Sequence, residues 1–140
     1  QIYLESIMKK GGYIKRKKPL KKHSKNKISV LKKKAWVVFS KWIKKRDNHT
    51  CFTCDKRVVG MGMHAGHFVS RTHNATLFDE INTNAQCAAC NLWKYGNPGE
   101  YARRLIEKYG QRKFKALLER GRGIKQFKEA ELLEIIRKYQ

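Results

Sequence analysis

Cys51-Phe52-Thr53-Cys54 and Cys87-Ala88-Ala89-Cys90-Asn91 decide how this chain folds. Each Cys-x-x-Cys pair can turn two thiolates to one side of a tight knuckle, and two knuckles complete a tetrahedron around one zinc ion. Competing readings are two disulfides in a small secreted protein and a thioredoxin-like redox motif. Neither cysteine pair sits in a strand-helix-strand pattern, which leaves the redox motif well behind. Structural zinc on Cys51, Cys54, Cys87 and Cys90 is the leading expectation.

Between the two pairs helical periodicity disappears. Residues 57–59 and 64–69 read as the strands of a hairpin bridged by Gly60-Met61-Gly62, followed by a loop rich in Thr, His and Asn. Asn91-Leu92-Trp93-Lys94 reads as a short helix stopped by Gly96-Asn97-Pro98-Gly99. Ahead of the first knuckle, Leu31, Trp36, Phe39 and Ile43, with Val37, Val38 and Trp42, form an apolar stripe that predicts a scaffolding helix over residues 29–47. Behind the second, helical patterns at residues 100–109, 112–119 and 128–139 place Leu105, Leu117, Leu132, Leu133 and Ile135 on buried faces. The expectation is an α+β domain over residues 29–140, comprising a helix, a zinc-braced core at 48–97 and C-terminal α-helices at 98–140.

A chain of 140 residues with 41% hydrophobic content supports one modest core. Its net charge of +22 makes a polyanion, nucleic acid first, the expected partner. A membrane surface would also attract this charge, but no apolar run approaches the roughly 20 residues needed to span a bilayer and no signal-peptide core is visible, so a soluble intracellular protein is expected. Residues 1–34 carry twelve lysines and Arg16 against the single acid Glu5, more than half the net charge in a quarter of the chain. Lys15, Arg16, Lys17, Lys18, Lys21 and Lys22 lie among few large apolar residues, so residues 1–28 read as a flexible DNA-binding arm, with a solvated or targeting tail as the alternative.

Hydrolysing a phosphodiester needs an activated water, a cation to stabilise charge and a frame that aligns them. His67, at the end of His64-Ala65-Gly66-His67, is suited to take a proton from water. Asn91, directly after the last cysteine, offers a hard amide oxygen fit for magnesium or manganese. Asn82 can hydrogen-bond loop backbone and so orient the base.

The order Cys-x-x-Cys, His67, Asn82, Cys-x-x-Cys-Asn91, then Lys94, resembles the HNH nucleases. That resemblance implies a ββα-metal core braced by structural zinc, with His67 as general base, Asn82 as the central structural Asn and Asn91 as a catalytic-metal ligand. More narrowly, Ala65-Gly66-His67-Phe68, Leu77-Phe78-Asp79-Glu80 before Asn82, Gln86 through Asn91, and Lys94 with Gly96-Asn97 resemble the NinG (Rap) family of lambdoid-phage recombination nucleases. The match spans roughly residues 31–109. It implies a phage- or prophage-encoded endonuclease in the bacterial cytoplasm, selective for branched DNA such as Holliday junctions and D-loops. One position departs from the family pattern: His64 stands where an Asp is expected three residues before the base. Imidazole suits first-row metals better than magnesium, so His64 is expected as the second ligand, with manganese, nickel or cobalt preferred. His64 and His67 would face opposite sides of a regular strand, so convergence calls for a kink or bulge at Ala65-Gly66.

Other positions stay open between function and surface. Arg71 and His73 either pair the scissile phosphate or face solvent, and Lys94 either touches phosphate or caps its short helix. His23 and His49 read as ordinary polar positions. The competing function is a non-catalytic zinc-stapled nucleic-acid-binding module; an assembly factor that holds a partner on DNA is a third. The apolar segment 130–139 packs either within the monomer or across the two-fold axis of a homodimer.

Overall fold

The computed structural model describes residues 27–140. Lys15, Arg16, Lys17, Lys18, Lys21 and Lys22, read above as a DNA-binding arm, lie outside the described residues.

Helix α1 (Lys27–Arg46) buries Ala35, Phe39 and Ile43, spaced four residues apart on one face, and ends on Lys44, Lys45 and Arg46, whose charges suit a helix C-terminus. Asn48 and His49 then take left-handed backbone, which stops the helix. Val37, read as part of the stripe, is exposed. Strand β1 (Met63–His67) pairs antiparallel with β2 (Thr83–Cys87). The connection between them carries a short 3-10 turn at Asn74–Thr76, and a π-helical turn at Ala89–Trp93 follows β2. Three helices close the chain: α2 (Pro98–Tyr109), α3 (Gln111–Arg122) and α4 (Glu129–Tyr139). Pro98 sits at the helix start where its missing N–H costs nothing, and Gly110 at φ 85° separates α2 from α3. The molecule is thus an α+β protein with a small two-stranded sheet.

The expected hairpin does not form. Residues 57–59 do not pair with β1; Arg57 instead bridges back to Thr50, and the N–H of Val58 donates to His49 O (3.0 Å). The reason is the first knuckle: with Cys51 and Cys54 curled together, the chain after them closes on the chain before them. The true partner of β1 is β2, a Thr-Asn-Ala-Gln-Cys segment buried along its whole length. Nor is there a bulge at Ala65-Gly66, since the register runs one for one from Met63 opposite Cys87 to His67 opposite Thr83. Gly66 is needed for another reason: a methyl group there would collide with the side-chain oxygen of Gln86.

Three clusters form the interior. Phe39, Ile43 and Tyr139 join α1 to α4, with Trp36, Trp42, Phe78 and Ile135 around them. Helix α4 therefore packs against α1 within the chain, although Leu133, expected inside, is exposed. Tyr101, Leu105 and Leu117 join α2 to α3 against Phe68 and Val69. Met63 and Ala85 lie with three of the cysteines in the third. Truncating Phe39 to Ala would cost about 3–5 kcal/mol, because the rings of Trp42, Phe78 and Tyr139 would face a cavity. No described helix is long and apolar enough to cross a membrane.

Candidate functional site

The Met63/Cys87 end of the sheet carries the cysteines. Cys51, Cys54, Cys87 and Cys90 are all free thiols, and their sulfurs lie within 4.8 Å of one another. Cys54 Sγ and Cys87 Sγ are 3.7 Å apart, too long for a disulfide and close to the ~3.8 Å edge of a tetrahedron with zinc-sulfur bonds of 2.3 Å. Among the described residues this is the one group of three or more Cys, His, Asp or Glu side chains that could hold an ion. Burial pushes the Cys54 and Cys87 thiols up, away from ionisation. Burial opposes ionisation of Cys51 too, but hydrogen bonds from the Thr53 hydroxyl and from the backbone of Cys87 and Thr53 outweigh it and draw the thiol down to about 6. Four crowded thiols cannot all ionise without a cation, and thiolates are what zinc binds. The donor set fits a structural zinc.

The His67/Thr83 end is held differently. Asn82, fully buried, accepts the Val69 N–H through Oδ1 (2.7 Å) and donates through Nδ2 to Val69 O (3.0 Å) and Thr76 O (3.1 Å). It makes no hydrogen bond to His67; it clamps the chain that follows it, at Val69 and at Thr76. His67 Nε2 lies 2.9 Å from Leu77 O, next to the clamped Thr76. A carbonyl can only accept, so Nε2 carries the proton and Nδ1 keeps a free lone pair. The ring stacks on Trp36 at 4.9 Å and 26°. Burial, with a smaller contribution from the Arg71 charge, lowers the His67 pKa below the usual histidine value and keeps the ring neutral.

His67 lines a cavity of about 340 Å³ with Trp36, Arg71, Asn91 and Tyr95. His64 faces the other side of β1, where its Nδ1 lies 2.9 Å from the Asn91 side-chain nitrogen. Asn91 thus links the two histidines without a bulge. Its oxygen points toward Gly66, beside the Gln86 oxygen, which is buried without a hydrogen-bond partner. Arg71 is exposed, with its guanidinium over the Trp36 ring at 5.3 Å. Exposed Lys94 ends the π-helical turn one residue before Tyr95. His73 is exposed at the start of the 3-10 turn and is not part of the cavity wall.

Several contributors escape sequence reading. Trp36 reads as core from its periodicity, yet it is the surface on which His67 rests. The Tyr101 hydroxyl donates to Gly66 O (2.8 Å) and accepts from Asn84 Nδ2 (3.1 Å), tying α2 to both strands. Arg46 reaches Glu80 O (2.9 Å) and Thr83 O (3.0 Å), while Asp47 accepts the Ala85 N–H (2.7 Å), tying α1 to β2. The Arg46-Asp47 pair after an aromatic helix is visible in the sequence, but its partners are not.

Fold and site together define an α+β protein in which a two-stranded sheet carries a four-cysteine cluster suited to a metal ion. Residues 6–140 match the family model described as Bacteriophage Lambda NinG protein, and the chain belongs to the NinG family. Neither curated proteins nor solved structures give a match.

Proposed function

We propose that this protein is a metal-dependent DNA endonuclease of the HNH type, acting on branched recombination intermediates. The observation that carries the reading is His67: Nε2 is committed to Leu77 O, so Nδ1 is left as the proton acceptor at a cavity shared with Asn91 and Arg71. A neutral imidazole locked in one tautomer is what a general base requires. In this reading His67 Nδ1 takes the proton of the attacking water, oxygen forms the new bond to phosphorus, and the bond to the leaving sugar oxygen breaks. Arg71 balances charge that builds on the phosphate, and Asn82 acts as a positioning residue through Val69 and Thr76.

His64 and Asn91 are the candidate ligands for a second, catalytic cation. Their facing nitrogens are 2.9 Å apart, near enough for both side chains to reach one ion, and a half-turn of the amide would present the Asn91 oxygen instead. The orphaned Gln86 oxygen beside Asn91 adds a hard donor to the neighbourhood. With no carboxylate in this set, manganese and other first-row ions fit better than magnesium. Such an ion would supply charge stabilisation for the phosphate and the leaving oxygen. Branched DNA and a bacterial cytoplasmic setting follow from the family resemblance, a homodimer from the paired active sites that cutting two strands in concert requires, and the charge of +22 supports a nucleic-acid partner.

The test is cleavage of a labelled four-way junction and of matched linear duplex, in magnesium and separately in manganese, by wild type and His67→Ala. We expect manganese-favoured cutting of the junction, slowed at least about a hundredfold in a folded His67→Ala that still binds. Tight binding with no cutting by wild type in either ion would replace this reading with the zinc-stapled binding module.

A further inference from the structure

On either side of Lys94, the chain displays two large rings to solvent where a small fold should hide them. Trp93 is 81% exposed and Tyr95 is 91% exposed, with Lys94 between them. Tyr95 also stands in left-handed backbone at φ 52°, a conformation that is strained for a bulky side chain and that Gly or Asn would tolerate better. The strain is imposed by the next residue. Gly96 is pinned on both sides, its N–H to Cys90 O at 2.9 Å and its carbonyl by buried Gln86 Nε2 at 2.8 Å. Aromatic rings are thus held on a rigid turn built from the second knuckle, at a position where the backbone would be more relaxed without one.

We infer that Trp93 and Tyr95 form a stacking platform for unpaired bases of DNA, with Lys94 contacting the phosphate between them. Tyr95 is the bridge to chemistry, because it lines the same cavity as His67, Asn91 and Arg71. The occupant follows from charge and shape. A protein of net charge +22 attracts polyanions, and more positive charge is local: exposed Lys94 stands between the two aromatic residues in the chain, and Arg71 shares the cavity wall with Tyr95. An apolar protein partner would meet a lysine in the middle of its contact, whereas a nucleotide strand presents a ring, a phosphate and a ring in alternation. Every base has a stacking face, so the platform selects strand state rather than sequence. Paired bases in a duplex have both faces covered; those at a branch point or gap do not. The inference goes beyond the endonuclease reading by naming what distinguishes branched from linear DNA, and it uses that reading only for its position next to the cavity.

The test is a gel shift with the zinc-loaded full chain and no added magnesium or manganese, using an oligo(dT) strand and a fully paired duplex, with wild type, Trp93→Ala and Tyr95→Asn. Base-aromatic stacking implies that each substitution weakens oligo(dT) binding roughly fivefold or more and leaves duplex binding unchanged. Tyr95→Asn should also melt no lower than wild type, because Asn accepts the left-handed backbone; a purely structural Tyr95 would give the opposite shift. Should Tyr95→Asn fold poorly, Trp93→Ala decides alone. Wild-type affinity of the variants for oligo(dT), or equal loss on both DNAs, would overturn the inference. So would variants whose loss of oligo(dT) binding is accompanied by a change of oligomeric state in sedimentation. Binding is read without cleavage, so a protein that cuts nothing but shows the expected selectivity sinks the endonuclease reading and leaves this one standing. Cutting with unaltered oligo(dT) binding by the variants does the reverse.

Discussion

The two ends of one small sheet are held together by different physics. At the Met63/Cys87 end, four thiols crowd within 4.8 Å, around a hydrophobic cluster too small to hold the knuckles by itself. At the His67/Thr83 end no ion is needed, since Asn82, Tyr101, Arg46 and Asp47 satisfy backbone groups of both strands and the loop between them. Backbone groups paired in this way hold the strands in place, whereas a thiol cluster is rigid only once a cation has replaced its protons. The comparison teaches that folding of the knuckles and positioning of His67 should be separable.

The largest effect that could break this distinction is removal of zinc. Structural zinc contributes roughly 10–16 kcal/mol in small domains, comparable with the ~5–15 kcal/mol stability of a whole protein. Chelation, or Cys87→Ser, should therefore abolish the cooperative thermal transition in near-ultraviolet circular dichroism. Far-ultraviolet helical signal from α1 and α4, which pack on each other through Phe39 and Tyr139, should partly survive. A sharp transition unchanged after zinc is stripped would show that the cysteine cluster is not a staple.

A smaller effect is expected at the other end. Asn82→Ala takes the partners of both the Val69 N–H and the Val69 carbonyl, at about 1–3 kcal/mol for each group left unsatisfied, while the Thr76 carbonyl keeps the Asp79 N–H at 3.3 Å. Denaturant melts should show that loss while the zinc content per chain stays at the wild-type value. Zinc loss in this variant would mean that the two ends are coupled after all.

The smallest effect is in pH. Burial lowers the His67 pKa in the folded state, so between the ordinary histidine value near 6.5 and that lowered value the unfolded chain binds more protons. Stability conferred by the neutral ring is present above that window and is lost as pH falls through it. The difference in denaturation midpoint between wild type and His67→Gln should shrink on going from pH 7.5 toward pH 5, and a constant difference would contradict the burial argument.

How much of this was legible in the sequence follows from which signals are local. The knuckles announce themselves because zinc demands Cys-x-x-Cys spacing, and α1 to α4 announce themselves because their buried faces are apolar at helical period. Strand β2 has neither signal. Its Thr83, Asn84 and Gln86 are buried as polar residues, and Gln86 and Asn84 find their partners in Gly96, Tyr101 and Arg46, far along the chain. Residues 57–59, in which Val58 and Val59 follow Arg57, read as a hairpin strand but belong to the closing of the first knuckle. Asn82 and His67 could be picked out by their residue types and offsets from the cysteines. The bulge expected to join His64 to His67 could not be tested by local reasoning, because Asn91, arriving from the following turn, spans the gap between them.

The stack of His67 on Trp36 has an optical consequence. An imidazolium against an indole quenches its emission far more than a neutral imidazole does, and among the described residues Trp36 is the one tryptophan stacked on a histidine ring. The glow of this one side chain therefore follows the protonation of the ring beneath it, so the molecule carries a built-in indicator dye for the state of its candidate base, readable without substrate, label or added metal.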